Sequence, residues 1–587
     1  MRSSRTVPSR TSSSRVTGER PLRGLSALSL IAVVAFVPLL VPVADSDVGS
    51  KGLPTVLVTT EVLADLAAKV GRGVVRVESV LGRTSPETFT LTPGTAMKVA
   101  DADAFLYVGY GSEDKVGRLA ADVRRGVRTF RLLDVIEGVN PNEAFWASPK
   151  GALKLAEAIG LVLVQLYPER SDVIARNLEA LRRELSGLDA WIRSELESTR
   201  RPLRVATIRP SLNAFAREYG LEVVARLADH FGTYEPNAAS TLHFFERVSG
   251  TGAVILMEAE EEGSTLAEVV SANARRIGIR LAGPIYYERL DPEGGISSYE
   301  DMVRWNVRVI ASAAAEPTEP RTGLPLIAAV LLPGFVALLA VSVSTSLVGS
   351  FAVMRGWAIF GDALSHGAIA GLVAAYLVGF DFYLGALAAG LVVALSVSYL
   401  ERRTGLRGDL VIAVTFTSML ALAVVMLSKS GGATLKLEDV LFADVTASTE
   451  EGVLGTAVFS LGVVAFLLAF RRPLLAYVTD PYWSEAAGIR TALVHYALLT
   501  LLSVTVITAF MTVGAIPAVA SMIIPPATAL LLSSSPRSYL IASALIPALS
   551  AAAGVAASVL FDTNVGSTVV LVYAVTFVAV ALTRRRP

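Results

Sequence analysis

Residues 349–371 read Gly-Ser-Phe-Ala-Val-Met-Arg-Gly-Trp-Ala-Ile-Phe-Gly-Asp-Ala-Leu-Ser-His-Gly-Ala-Ile-Ala-Gly, an apolar run interrupted by Asp362 and His366. Four residues apart, the acid and the imidazole share one face of a helix. An Asp at the centre of a membrane helix costs about 2.5–3.5 kcal/mol on insertion scales. A pair kept there marks a place where something charged passes, with a capping Asp and a packed His as the plainer alternative. The flanking sequence decides that the setting is a membrane. Nine apolar segments of spanning length follow Leu324, near 325–352, 363–380, 382–400, 409–428, 450–470, 491–511, 513–533, 539–560 and 566–582.

Charge placement gives these segments a direction. Arg355, then Arg402, Arg403 and Arg407, then Arg471, Arg472 and Arg490, then Arg537, then Arg584–Arg586 fall on every second side. The opposite loops hold Lys429, Lys436 and otherwise acids. The positive-inside rule therefore puts residue 324 outside and the C-terminus in the cytoplasm of a multi-pass plasma-membrane protein. Pro525-Pro526 sits inside an apolar segment and predicts a broken helix there, either a kink or part of a pathway. Asp480–Ile489 is a short polar helical pattern on the inner side, and His495 lies at the inner start of a span as a packed or interfacial residue.

The chain has 587 residues, 53% hydrophobic and 18% charged, which is membrane composition diluted by a soluble part. Its net charge of zero averages two unlike halves. No basic aromatic-rich domain supports nucleic-acid binding. The absence of Cys excludes disulfides, thiolate metal sites and thiol catalysis, and the four His are His230, His243, His366 and His495. No phosphate-binding loop occurs, and no nucleophile–base constellation points to an enzyme.

Upstream, residues 1–50 form a basic arm and an apolar run, Leu25 to Ala44, that reads as an uncleaved anchor in preference to a cleaved signal. Residues 51–313 alternate short β-rich runs with helical patterns. Strands are predicted at 55–60, 74–80, 104–110, 128–133, 203–208, 222–227, 253–258 and 279–285, with one long charged helix over about 170–198 between two groups of four. The fold class is mixed: a two-lobed α/β domain joined by a long helix, a linker at 314–324, an all-α membrane bundle of about nine helices over 325–583, and a tail at 584–587.

The membrane half resembles the ABC-transporter permeases for zinc, manganese and iron. The resemblance rests on 349–371, Leu441-Phe442-Ala443-Asp444, Asp480–Ile489, Val513-Gly514, Ile524–Ala529, and Asp562 with Gly566. It implies a homodimer, a separate ATPase docking at a coupling helix (Asp480, Glu485, Ala486, Gly488), and divalent metal as cargo, with no permanent cofactor. On that reading Asp362, His366, Pro525 and Pro526 line the pathway, and Asp362 and His366 hold the ion transiently.

The outer half resembles the metal-binding receptors that serve those permeases. Thr59–Asp65, Ser85–Phe89, Ala144-Phe145-Trp146 with Pro149, Arg209–Leu221, Glu235-Pro236-Asn237 and Tyr299–Asn306 carry the likeness. The resemblance implies three His, or two His and a carboxylate, plus a carboxylate late in the second lobe. This chain has Glu87, Ala144 and Arg209, and near the fourth position Gly283-Pro284-Ile285. Three readings stay open: a chelate or other anionic solute held by Arg209; a different metal site from Glu87, Glu143, His230, His243 or the acids Glu258–Glu262; or a Glu87–Arg209 pair across the cleft. The rival to transport is a membrane receptor or sensor without flux, against which the inner Asp480–Ile489 loop speaks.

Overall fold

The computed structural model describes residues 52–583 except 83–85, 87–88, 90–92, 124–126, 198, 200–202, 230, 232–236, 263, 315–325, 407 and 430–449. The N-terminal arm and anchor, Glu87, His230, Glu235-Pro236, the linker, Leu441–Asp444 and the C-terminal arginines lie outside these residues.

All eight predicted strands form. β1 (Thr55–Val58), β2 (Arg76–Ser79), β3 (Ala104–Tyr107) and β4 (Arg128–Arg131) make one parallel sheet of order β2-β1-β3-β4. β5 (Leu203–Thr207), β6 (Leu221–Arg226), β7 (Val254–Glu258) and β8 (Leu281–Ile285) make a second, of order β6-β5-β7-β8. The central strands read as near-continuous apolar runs because helices cover both faces; all four residues of β3 are buried. The covering helices of the first lobe are α1 (Glu61–Val70), α2 (Pro93–Asp101), α3 (Glu113–Val123) and α4 (Pro149–Leu166). The predicted long helix is α5 (Ser171–Glu197), which buries Ile174, Leu181, Leu185, Leu188, Ile192 and Leu196 on one stripe. In the second lobe follow α6 (Asn213–Tyr219), α7 (Ala238–Val248), α8 (Thr265–Ile277) and α9 (Tyr299–Ala314). In both sheets the order reverses between neighbouring strands, and ligand clefts form outside the carboxyl ends of strands at such switch points.

The second half is helical: α10 (Leu326–Met354), α11 (Phe360–Val378), α12 (Phe382–Thr404), α13 (Gly408–Lys429), α14 (Glu450–Ala469), the short α15 (Arg471–Thr479) and α16 (Pro481–Ala486), then α17 (Thr491–Val513), α18 (Ala515–Leu532), α19 (Pro536–Phe561) and α20 (Val565–Thr583). Nine of these match the predicted segments. Eight are long and apolar enough to span a bilayer, and the ninth carries a shorter apolar stretch, Leu410–Met426. Without a hydrophobic force between helices in lipid, small residues let backbones approach. A Cβ on Gly371 would lie 2.1 Å from the Gly385 carbonyl oxygen, so α11 and α12 meet at bare backbone.

The predicted break at Pro525-Pro526 does not occur: α18 runs unbroken from Ala515 to Leu532 with both prolines buried. Pro526 has no N–H for the Met522 carbonyl four residues earlier. That carbonyl is instead pressed against Gly349 of α10, where a Cβ would sit 2.1 Å from it. The freed group is thus enclosed in protein, which lets the helix continue. The two halves also touch. α7 and α8 pack on α10, and α7 on α19. Ala329 and Val330 share an apolar cluster with Val270 and Ala274, and Arg276 Nη1 donates to the Ala329 carbonyl at 3.1 Å.

Candidate functional site

In the membrane half, Asp362 occupies the first turn of α11 and His366 the next, as their spacing predicts. His366 Nδ1 lies 3.4 Å from Asp362 Oδ1 and 2.9 Å from the Asp362 carbonyl oxygen. The His366 ring packs edge-on to Phe416 of α13 at 4.8 Å. The start of α11 is deep. A Cβ on Gly361 would meet Met522 of α18 and reach Val506 of α17. Val506 lies about 22 Å along α17 from its first residue, at about 1.5 Å per residue. The pair is therefore at mid-span.

A cavity of about 450 Å³ opens beside the start of α11, lined by Arg355, Trp357, Phe360, Ser398, Glu401 and His495 among others. The sequence reading gave His495 a passive place. In the structure its Nδ1 meets the Tyr477 hydroxyl at 2.7 Å and its Nε2 the Ser398 hydroxyl at 3.3 Å. The Arg355 guanidinium lies over the Tyr477 ring at 4.8 Å and the Trp357 ring at 5.7 Å. Tyr477, Ser398 and Glu401 were missed because no sequence pattern brings α12, α15 and α17 together.

Tyr477 belongs to α15, which leads into α16. Asp480 is the N-cap of α16: its Oδ1 accepts from the peptide N–H groups of Tyr482 and Trp483 at 2.9 and 3.0 Å. Gly488, at φ +83°, ends the motif. Glu485, Ala486 and Gly488 are exposed as a docking element requires. The most prominent groups are two that the sequence reading did not single out, Tyr482 (86% exposed) and Trp483 (62%). Two exposed aromatics behind an Asp-Pro cap in a polar loop were the available signal.

The outer cleft departs most from expectation. Arg209 follows β5 and is fully buried. Its Nε donates to Glu261 Oε1 at 2.7 Å, and its peptide N–H donates to Glu258 Oε1 at 3.0 Å. Ser211 Oγ donates to the same Glu258 oxygen at 2.6 Å. The acids 258–262, for which a solvated face is the ordinary reading, instead have Glu258 and Glu261 buried at the end of β7. Arg209 therefore pairs within its own lobe and has no exposed surface for an anionic cargo. The expected fourth position at Gly283–Ile285 is strand β8 itself; beyond it, Glu288 accepts from the Tyr110 hydroxyl.

The other candidates separate. Glu143 is held by Arg217, whose Nη1 donates to Oε1 at 2.8 Å. Burial pushes this carboxyl up, but the Arg217 ion pair outweighs it and the net shift is downward. His243 is exposed and contacts Glu246 at 3.1 Å. Among the described residues no group of three or more His, Asp or Glu is placed to hold a metal ion.

Set beside known proteins, the two halves sort cleanly. The ABC 3 transport family pattern matches residues 328–584. The family described as zinc-uptake complex component A, periplasmic, matches residues 56–313. The manganese transport system membrane protein MntC of Halalkalibacterium halodurans is 34% identical over 241 residues, covering 41% of this chain and 82% of that protein. A probable iron transport system membrane protein of Haemophilus influenzae is 32% identical over 240 residues, 41% of this chain and 88% of its own. Among solved structures, PsaBC from Streptococcus pneumoniae in complex with Fab aligns at 28% identity and TM-score 0.40, over 43% of this chain and 90% of that one. The periplasmic zinc-binding protein TroA from Treponema pallidum aligns at 22% and 0.40, over 45% and 100%. The fold and the comparisons define a multi-pass membrane permease joined to a solute-receptor-type domain. The chain belongs to the ABC 3 transport family.

Two buried acids make the outer half sensitive to pH. Burial, partly offset by hydrogen bonds from Thr59 and neighbouring peptide groups, raises Glu113 to about 7. Burial likewise raises Glu258 to about 8, against hydrogen bonds from Ser211 and Arg209. The folded state holds protons there that the unfolded chain releases near the ordinary carboxyl value of 4.5. Their contribution to stability is complete below that value and lost as pH rises through about 7 to 8. The melting temperature followed by scanning fluorimetry should fall between about pH 5 and about pH 8.5, and Glu258→Gln should flatten the fall. A wild-type curve that rises over this range contradicts the assignment.

Proposed function

We propose that the chain is the membrane subunit of an ABC importer for divalent metal ions, with manganese or zinc ahead of iron. It works as a homodimer in the plasma membrane, its receptor-type domain outside and its C-terminus in the cytoplasm. A separate ATPase subunit docks on α16 and supplies the energy. The observation that carries this reading is the Asp362–His366 pair held one turn apart within an apolar span; a cavity of about 450 Å³ opens at the start of the same helix, bounded by Ile359 and Phe360. A carboxylate oxygen and an imidazole nitrogen suit a borderline divalent cation in transit. They bind too few ligands to trap it, which passage requires. The arginine pattern supports the orientation. The names of the relatives, manganese and iron transport membrane proteins, support the cargo class.

On this reading ATP-driven movement reaches the cavity along a short path. α16 carries the exposed Tyr482 and Trp483, α15 carries Tyr477, and Tyr477 holds His495 and Arg355 at the cavity wall. Buried aromatics are common anchors of protein interfaces, and these two are presented on a capped, rigid turn.

Two experiments test the reading. Asp362→Ala and His366→Ala should each abolish radioactive manganese and zinc uptake in cells while membrane abundance, read by immunoblot, stays at the wild-type level; uptake at that level in both variants would reduce the pair to scaffold. Tyr482→Ala together with Trp483→Ala should release the co-purifying ATPase while the permease elutes at its usual size. Undisturbed association would remove α16 from the docking site.

A further inference from the structure

A fully buried arginine needs a counter-charge, because an unpaired ion in a protein interior costs several kcal/mol. Arg209 has one in Glu261, which is itself buried with its second oxygen unpartnered. Beside Glu261, polar groups from three strand ends converge. Glu260 and Glu261 follow β7, Glu288 follows β8, and Tyr110 and Ser112 reach in after β3. The space between them, closed by Pro86, Phe231 and Tyr287, is about 10 Å³. That is at the lower limit for a single water.

The lobes are joined by the protein's own groups. Trp146 Nε1 of the first lobe donates to the Tyr287 carbonyl of the second at 2.7 Å. The Tyr110 hydroxyl bonds Glu288, and the Leu290 peptide N–H donates to Glu61 Oε2 at 2.8 Å. Lys150 pairs with Glu218 at 2.7 Å, and Arg217 with Glu143. Tyr110 packs between Trp146 (tilted) and Phe231 (edge-on), with centroids 4.6 and 5.4 Å away, and Phe231 continues to Tyr287 at 5.7 Å. A ligand shifts an opening equilibrium only by its differential affinity for the closed state. Here aromatic packing and ion pairs already supply the contacts of closure, and a guanidinium already neutralises Glu261, one of the carboxylates lining the space.

We infer that Arg209 is the resident cation of this cleft: its guanidinium takes the place of a cargo ion against Glu261, and the domain stays closed without capturing metal. The domain then serves as a fixed cap on its own permease, seated through α7 and α8 on the start of α10, and the ion reaches the membrane path without being held in the cleft. The inference concerns the outer domain alone and stands or falls separately from the import reading.

The test uses the full-length chain in nanodiscs. The protein has no Cys, so Arg118→Cys in the first lobe and His243→Cys in the second give two unique dye sites. Asp362→Ala is included so that the membrane pair contributes nothing. Transfer efficiency between the dyes should be the same in chelator and in saturating zinc or manganese. A metal-dependent shift in efficiency overturns the inference. Arg209→Met should convert the behaviour: its efficiency in chelator differs from that in zinc, since the carboxylates regain a cation only when metal binds. Should that variant not fold, the wild-type measurement decides alone. An Arg209→Met protein that folds and shows no zinc response also overturns the inference. Zinc and manganese uptake by the chain with Asp362 intact is measured in parallel, and its absence would defeat the import reading while leaving this one in place.

Discussion

A charge taken out of water must be matched by another, and this constraint shapes both halves of the chain. In the outer domain it binds Arg209 to Glu261 and draws acids 258–261 inward from the surface. In the membrane it sets Asp362 and His366 one turn apart and in contact on a largely apolar helix. The two solutions differ in kind. The cleft pair is enclosed, with both side chains buried. The membrane pair is open, with the Asp362 side chain 46% exposed. A closed pair holds structure, and an open one leaves coordination positions for a passing ion.

The rest of the architecture keeps those two sites in register. Parallel sheets place the Arg209, Glu258 and Glu288 loops at neighbouring strand ends. Close contacts at Gly371–Gly385 and Gly361–Met522 fix α11 between α12 and α18, so the depth of Asp362 is set by helix packing and not by the helix start alone. Tyr477 and His495 tie the α15–α16 turn to the cavity wall, which gives the exposed aromatics of α16 a rigid connection to the centre of the bundle.

Much of this was legible in the sequence. The eight strands followed from short apolar runs between helical patterns, and the spans from unbroken hydrophobicity. Asp362 and His366 stood out because ionisable residues are rare in such runs. What was not legible depended on partners distant in sequence. Nothing local says that Glu261 will meet Arg209, 52 residues away, so the acidic run looked like a solvated face. Nothing local says that Met522, freed by Pro526, will find Gly349, so the prolines looked like a break. Glu288 was passed over because nothing local says that it will meet Tyr110, 178 residues away.

The central claim, that this chain forms the membrane path of an ATP-driven metal importer, is tested most directly by reconstitution. The full-length chain and the ATPase that co-purifies with it are placed in sealed liposomes, with ATP on the ATPase side and radioactive manganese on the side of the receptor-type domain. The account predicts manganese accumulation that needs ATP and is lost with Asp362→Ala. Tight, ATP-independent binding without accumulation, or accumulation undiminished by that substitution, would contradict it.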